Sequence, residues 1–137
     1  MASLANDLQR FKGRRVLITG HTGFKGSWLA LLLAHAGARV TGIALAPQTN
    51  PSHFTLLSLA NDIDSRECDI RDLEKLEKEF QRAKPEAVFH LAAQAFVRTS
   101  YLDPYTTFST NVLGSANVLE CVDQTSSVKT LVYVTSD

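Results

Sequence analysis

The sequence predicts an α/β fold, a doubly wound parallel sheet with strand order 3-2-1-4-5, and three observations carry that prediction. The strand, helix, strand succession of "RRVLITG", "FKGSWLALLLAHAG" and "ARVTGIAL" demands a crossover, which makes consecutive strands parallel. The apolar runs of the first, fourth and fifth strands are continuous rather than alternating, as a sheet covered on both faces requires. A glycine-rich turn follows the first strand and opens directly into a helix.

The first strand, 14–20, carries Val16, Leu17 and Ile18 in succession and is stopped by Gly20. The helix over 24–37 is apolar nearly all round and closes on Gly37, a residue suited to the left-handed position past a helix end. A second strand, 38–45, runs into a loop punctuated by Pro47 and Pro51. The third strand, 61–70, is polar and weakly alternating, which places it at a sheet edge. An amphipathic helix over 71–83 sets Leu73, Leu76 and Phe80 on one stripe with charges opposite. The fourth strand spans 85–93, and a loop through "YLDP" leads to one long helix, 104–126, with Pro104 in its first turn. The fifth strand spans 128–137. This order opens a crevice between strands one and four at their carboxyl ends, where such sheets take ligands.

The chain's 137 residues, 45% of them hydrophobic, suit one domain with a sizeable core. Fourteen basic residues balance fourteen acidic ones, so no bulk charge points to nucleic acid or to an anionic membrane. Cys68 and Cys121 lie far apart without a Cys-x-x-Cys or Cys/His cluster; they read as buried reduced thiols, and no metal is expected. The most apolar segment, "SWLALLLAHAG", is about half the ~20 residues that span a bilayer, and the first residues lack an apolar core of signal-peptide length. A soluble, cytoplasmic protein is expected.

The stretch "VLITGHTGFKGSW" carries the chemistry. Backbone N–H groups of a glycine turn at a helix start surround a pyrophosphate, and the helix adds roughly half a positive charge. Gly20 permits the tight turn, Gly23 admits the phosphates close to the backbone, and Gly26 lets helix and strand approach.

The spacing Gly-x-x-Gly-x-x-Gly departs from the ordinary Gly-x-Gly-x-x-Gly and resembles the extended short-chain dehydrogenase/reductase superfamily. "DIRD" (69–72), "HLAAQ" (90–94) and "NVLG" (111–114) agree with it. More narrowly, "GHTGFKGSW", "ALAPQTNPSHF", "VFHLAAQAFVRTSYLDP" and "VTSD" resemble the NAD-dependent epimerase/dehydratases, and among them the dehydratases of CDP-glucose. The resemblance runs from about Arg14 onward and implies a Rossmann domain. It implies that Gly20, His21, Thr22, Gly23, Phe24, Lys25 and Gly26 form the cofactor's phosphate turn. Asp69 and the Ile70 amide would hold adenine; Leu91, Ala92, Ala93, Gln94 and Thr135 would line the cofactor; Asn111 would be a polar anchor in the long helix. Gln94 and Arg98 would lie near the substrate.

The choice of dinucleotide is not written in the residues. An Asp or Glu ~20 residues past the first glycine binds the ribose 2′-hydroxyl of NAD, and an Arg accommodates the phosphate of NADP. Here "VTGIALAP" holds no acid, and no Arg follows the strand; Gln48, Thr49 and Asn50 are the loop residues able to stand in. The resemblance implies NAD.

In the resembled dehydratases, sugar carbon 4 is oxidised, water is lost across carbons 5 and 6, and the hydride returns to carbon 6. Ser136 would hydrogen-bond the sugar 4-oxygen, and Asp137 would protonate the departing 6-hydroxyl. The superfamily's Tyr-x-x-x-Lys pair is absent, because none of Tyr101, Tyr105 and Tyr133 has Lys four residues on. The expectation is therefore a dinucleotide-binding domain over 1–137, incomplete at its carboxyl end and lacking a nucleotide-sugar domain, with no turnover alone. CDP-glucose as substrate and a homo-oligomer through helices that include 104–126 are further implications. An epimerase, a dehydratase of another sugar nucleotide, and a non-catalytic dinucleotide-binding module are the alternatives. Lys25 reads as a phosphate partner or a solvated lysine, His35 and His53 as solvated or packing residues, and His90 as a satisfied core histidine.

Overall fold

The computed structural model describes residues 4–135. Five parallel strands, β1 (Arg15–Thr19), β2 (Arg39–Ala44), β3 (Asp64–Glu67), β4 (Ala87–His90) and β5 (Thr130–Tyr133), form one sheet in the order β3-β2-β1-β4-β5. This is the predicted order. The helices are α1 (Leu4–Gln9), α2 (Phe24–His35), α3 (His53–Leu56), α4 (Leu73–Ala83), α5 (Val97–Leu102), α6 (Pro104–Phe108) and α7 (Ser115–Gln124).

The continuous apolar run of β1 is explained by a core on each side of it. Val16 and Ile18 pack on one face with Ala30 and Leu33 of α2, Val40 and Leu59. Leu17 packs on the other with Ile43, Val88, Leu76 and Phe80 of α4, and Val118 and Cys121 of α7. Successive residues of a strand point to opposite faces, so a central strand must be apolar at every position. Cys68 and Cys121 are both buried free thiols, and burial pushes each up to about 11.

Two expectations need correction. The helix over 104–126 is not uniform: α6 and α7 flank a π-helical segment, Ser109–Gly114, with a wider turn. The loop after β2 is not structureless, since Ser52 caps α3 through a reciprocal pair of bonds with Thr55 and a 3₁₀ turn, Leu59–Asn61, follows. Thr at the third position replaces the usual Glu or Gln of a capping box, which hides the signal. α1 and α5, each of six residues, were likewise too short to show a period. β3 is shorter than predicted, and it is the polar edge expected. Among the described residues no helix is long and apolar enough to cross a membrane.

Candidate functional site

The glycine turn leaves the carboxyl end of β1 and enters α2. Gly20 has φ +79, the left-handed region that suits glycine, and its amide donates to the Ile43 carbonyl at 2.7 Å. A Cβ on Gly26 would strike the Gly20 carbonyl oxygen, so helix and turn touch through bare backbone. Gly23 is the N-cap of α2 and makes no side-chain cap. The first-turn amides of Phe24, Lys25 and Gly26 have no intrahelical partner, so a crown of donors stays open at the positive end of a twelve-residue helix. Phe24 and Lys25 are exposed. The Thr22 hydroxyl donates to the Leu45 carbonyl (3.0 Å) and ties the turn to the end of β2.

The "HLAAQ" segment forms the opposing wall. A buried chain of bonds holds it: Thr19 Oγ1 lies 2.6 Å from His90 Nδ1, and His90 Nε2 lies 2.9 Å from Ser115 Oγ. Thr19 Oγ1 also accepts the amides of Leu91 and Ala92, both at 3.2 Å. Having accepted two donors, the Thr19 hydroxyl gives its proton to Nδ1, so neutral His90 donates from Nε2 to Ser115. Burial pushes His90 down to about 4, in keeping with a neutral ring, and Tyr133 stacks on it at 4.9 Å. His90 is thus the satisfied core histidine expected. Asn111, in the π-helical segment, clasps the Gln94 peptide at both ends: Oδ1 accepts the Gln94 amide (2.8 Å) and Nδ2 donates to its carbonyl (3.0 Å). The Gln94 side chain donates to Thr107 (2.9 Å) and accepts the Phe96 amide (2.7 Å), so it braces the loop. Leu91 and Ala92 are half-buried and Ala93 is exposed.

At the end of β3, Arg71 grips both Asp69 carboxylate oxygens, with the shortest contact 2.6 Å. This bond holds Asp69 below the usual carboxylate range. The Ile70 amide has no acceptor among the described residues, while the Ile70 carbonyl receives Asn117 Nδ2 at 2.9 Å. The Asp69 side chain therefore braces the turn, and the Ile70 amide is the donor left open.

His21, expected in the cofactor's phosphate turn, stands there by its backbone while its side chain packs elsewhere. Its ring is buried over β2, where Nε2 meets Ser65 Oγ of β3 at 2.7 Å and Phe54 packs edge-on at 5.3 Å. Burial lowers its affinity for a proton. Only its backbone remains at the turn. His53 is a packing residue: its ring lies 4.7 Å from Trp28 and 5.1 Å from Phe24, and Nδ1 meets Ser27 Oγ at 2.6 Å. Arg98 is exposed on α5 without a bonded partner among the described residues, and Thr135 is exposed past β5. Ser136 and Asp137 lie outside the described residues. Sequence reasoning missed Thr19, Ser115 and Arg71 as the groups that hold the walls; Arg71, inside "DIRD", was the one with a signal.

The GDP-mannose 4,6 dehydratase family model matches residues 17–137. The chain is 50% identical over 131 residues to the CDP-glucose 4,6-dehydratase of Salmonella typhimurium, covering 96% of this chain and 36% of that protein. It is 33% identical to UDP-glucuronate 4-epimerase 1 of Arabidopsis thaliana, covering 94% of this chain and 31% of that one. Among solved structures, an epimerase of Methanothermobacter thermautotrophicus superposes with TM-score 0.83 at 32% identity, over 96% of this chain and 38% of that one. UDP-glucose 4-epimerase of Thermus thermophilus, in complex with NAD, superposes with TM-score 0.74 at 35% identity, over 85% of this chain and 36% of that one. The chain thus spans between 31% and 38% of the length of these relatives.

Proposed function

The chain belongs to the GDP-mannose 4,6 dehydratase family, and from that premise we propose that it is the amino-terminal, NAD-binding part of a nucleotide-sugar 4,6-dehydratase acting on CDP-glucose. The observation that carries the reading is the uncapped glycine turn: donors without partners among the described residues, at a helix start, where a Cβ would fill the space. That arrangement fits a dinucleotide pyrophosphate. Similarity to the Salmonella enzyme supports the cytidine nucleotide.

NAD, when bound, would supply the hydride chemistry between sugar carbons 4 and 6. The chain's own residues bind and orient. Gly23 admits the pyrophosphate, and the amides of Phe24 and Lys25 meet its oxygens, with the Lys25 ammonium beside them. The open Ile70 amide meets adenine beside the Arg71-braced Asp69. Leu91, Ala92 and Ala93 give the nicotinamide side a wall of backbone and small side chains, with Thr135 at its edge. Gln94 and Asn111 keep that wall in place rather than touching the cofactor. Ser136 hydrogen-bonds the sugar 4-oxygen and Asp137 protonates the departing hydroxyl. Arg98, whose guanidinium has no bonded partner among the described residues, serves the substrate's diphosphate.

No Tyr-x-x-x-Lys pair stands among the 137 residues, and on this reading the isolated chain does not turn over. Exposed apolar side chains from α5 to α7, Val97, Tyr101, Tyr105, Phe108, Val112 and Leu119, support association with a second copy. Sedimentation should show a dimer or larger; a monomer at micromolar concentration contradicts that part. The activity is tested on the full-length protein, offered CDP-, UDP-, GDP- and dTDP-glucose. A carbon-4 keto product from CDP-glucose is expected, and its absence overturns the substrate. Product formed from another of the four would favour the rival dehydratase, and inversion at carbon 4 the epimerase.

A further inference from the structure

On the reading that the glycine turn takes a dinucleotide, we propose that Glu67 of β3 is the acid that binds the adenosine ribose. It acts from the neighbouring strand in place of the acid missing at the end of β2. Folds of this kind read the ribose 2′-hydroxyl with a carboxylate at the carboxyl end of β2. Here β2 ends in Gly42, Ile43 and Ala44, followed by Leu45, Ala46 and Pro47, none of which offers a side-chain acceptor.

β3 lies alongside in parallel register, with Gly42 beside Ser65, Ile43 beside Arg66 and Ala44 beside Glu67. Residues paired in this register share a face of the sheet, and so do residues two apart along a strand. His21 identifies the face: its ring meets Ser65 Oγ at 2.7 Å, and a Cβ added to Gly42 would strike the same ring. Ala44 and Glu67, one pleat nearer the carboxyl ends, therefore share that face, on strands about 4.8 Å apart. The pairing continues past them, since the Cys68 amide donates to the Ala44 carbonyl at 3.0 Å.

Glu67 is also the uncommitted acid of this segment. Asp64 is paired with Arg66 and Asp69 with Arg71, whereas exposed Glu67 makes no ion pair or hydrogen bond among the described residues. A carboxylate there accepts from the ribose hydroxyls and repels a 2′-phosphate, which sets a preference for NAD over NADP.

Titration calorimetry of the wild-type chain and its variants with NAD and with NADP tests the assignment, with circular dichroism to verify folding at this exposed position. Glu67→Ala should weaken NAD binding about 10-fold or more, the loss of a charged hydrogen bond, without weakening NADP. Glu67→Lys should reverse the preference. Gln48→Ala, in the loop beyond β2, should leave the NAD-to-NADP ratio as it is. An unchanged ratio in both Glu67 variants overturns the role of Glu67 alone, as does a ratio moved by Gln48→Ala instead. Wild-type chain that binds neither dinucleotide overturns the reading on which the proposal rests.

Discussion

On the β4 wall of the crevice, Thr19, His90, Gln94 and Asn111 commit their polar side-chain atoms to other protein groups. On the β2–β3 wall and at the glycine turn, the amides at the start of α2, the Ile70 amide and the Glu67 carboxylate are uncommitted among the described residues. The first wall gives shape to the crevice by being internally finished, so damage there falls on stability. On the proposed reading the second recognises by remaining open, so damage there should fall on affinity.

The sharpest way to break the contrast is at the seam between the two. Gly26→Val drives a side chain into the Gly20 carbonyl, so it should cost on the order of 3 kcal/mol or more and abolish a cooperative thermal transition. A melt close to wild type would show that turn and helix do not meet as described. Asn111→Leu should cost about 1–3 kcal/mol in denaturant unfolding, because it strands the buried-side amide and carbonyl of Gln94. If the loss instead appears only in dinucleotide affinity, the β4 wall is not the finished structure argued for.

A separate effect concerns pH. Native His90 titrates near 4, while an unfolded histidine titrates near 6.5. Between those values the unfolded chain holds the extra proton, so stability is fully present above about pH 6.5 and is lost as pH falls toward 4. The depressed His21 contributes in the same direction. An NMR titration should find the His90 ring still neutral at pH 5.5; a midpoint near 6.5 would mean that the Thr19–His90–Ser115 chain is open to water.

The sequence made the sheet order legible because β1, β4 and β5 are apolar at consecutive positions and β3 is not. It made the turn legible because three glycines stand where a strand meets a helix. Helices of four to six residues were not legible, since α1, α3 and α5 complete barely a turn and carry no period. The π-helical segment was hidden for another reason: "STNVLG" is compatible with an α-helix, and the wider turn shows only in the backbone. Within the site, residue types announced Gln94 and Asn111 as polar and His21 as part of the turn. Only the fold reveals that the first two face each other, and that the His21 ring turns away over the bare face of Gly42. Glu67 was invisible for the same reason, because its partner position, Ala44, is 23 residues away in sequence and one strand away in space.

Gly23 separates folding from recognition more cleanly than any other residue. Its φ of −76° and ψ of 169° suit any L-residue, and a Cβ there would meet only the Gly20 carbonyl oxygen, at 3.3 Å. The decisive measurement is calorimetric titration of NAD into the wild-type chain and Gly23→Ala, paired with their thermal melts. Saturable binding by the wild type, with affinity lost by at least about 10-fold in a variant that melts like it, is the predicted result. Equal binding by the two, or none by the wild type, would contradict a glycine turn that holds the pyrophosphate.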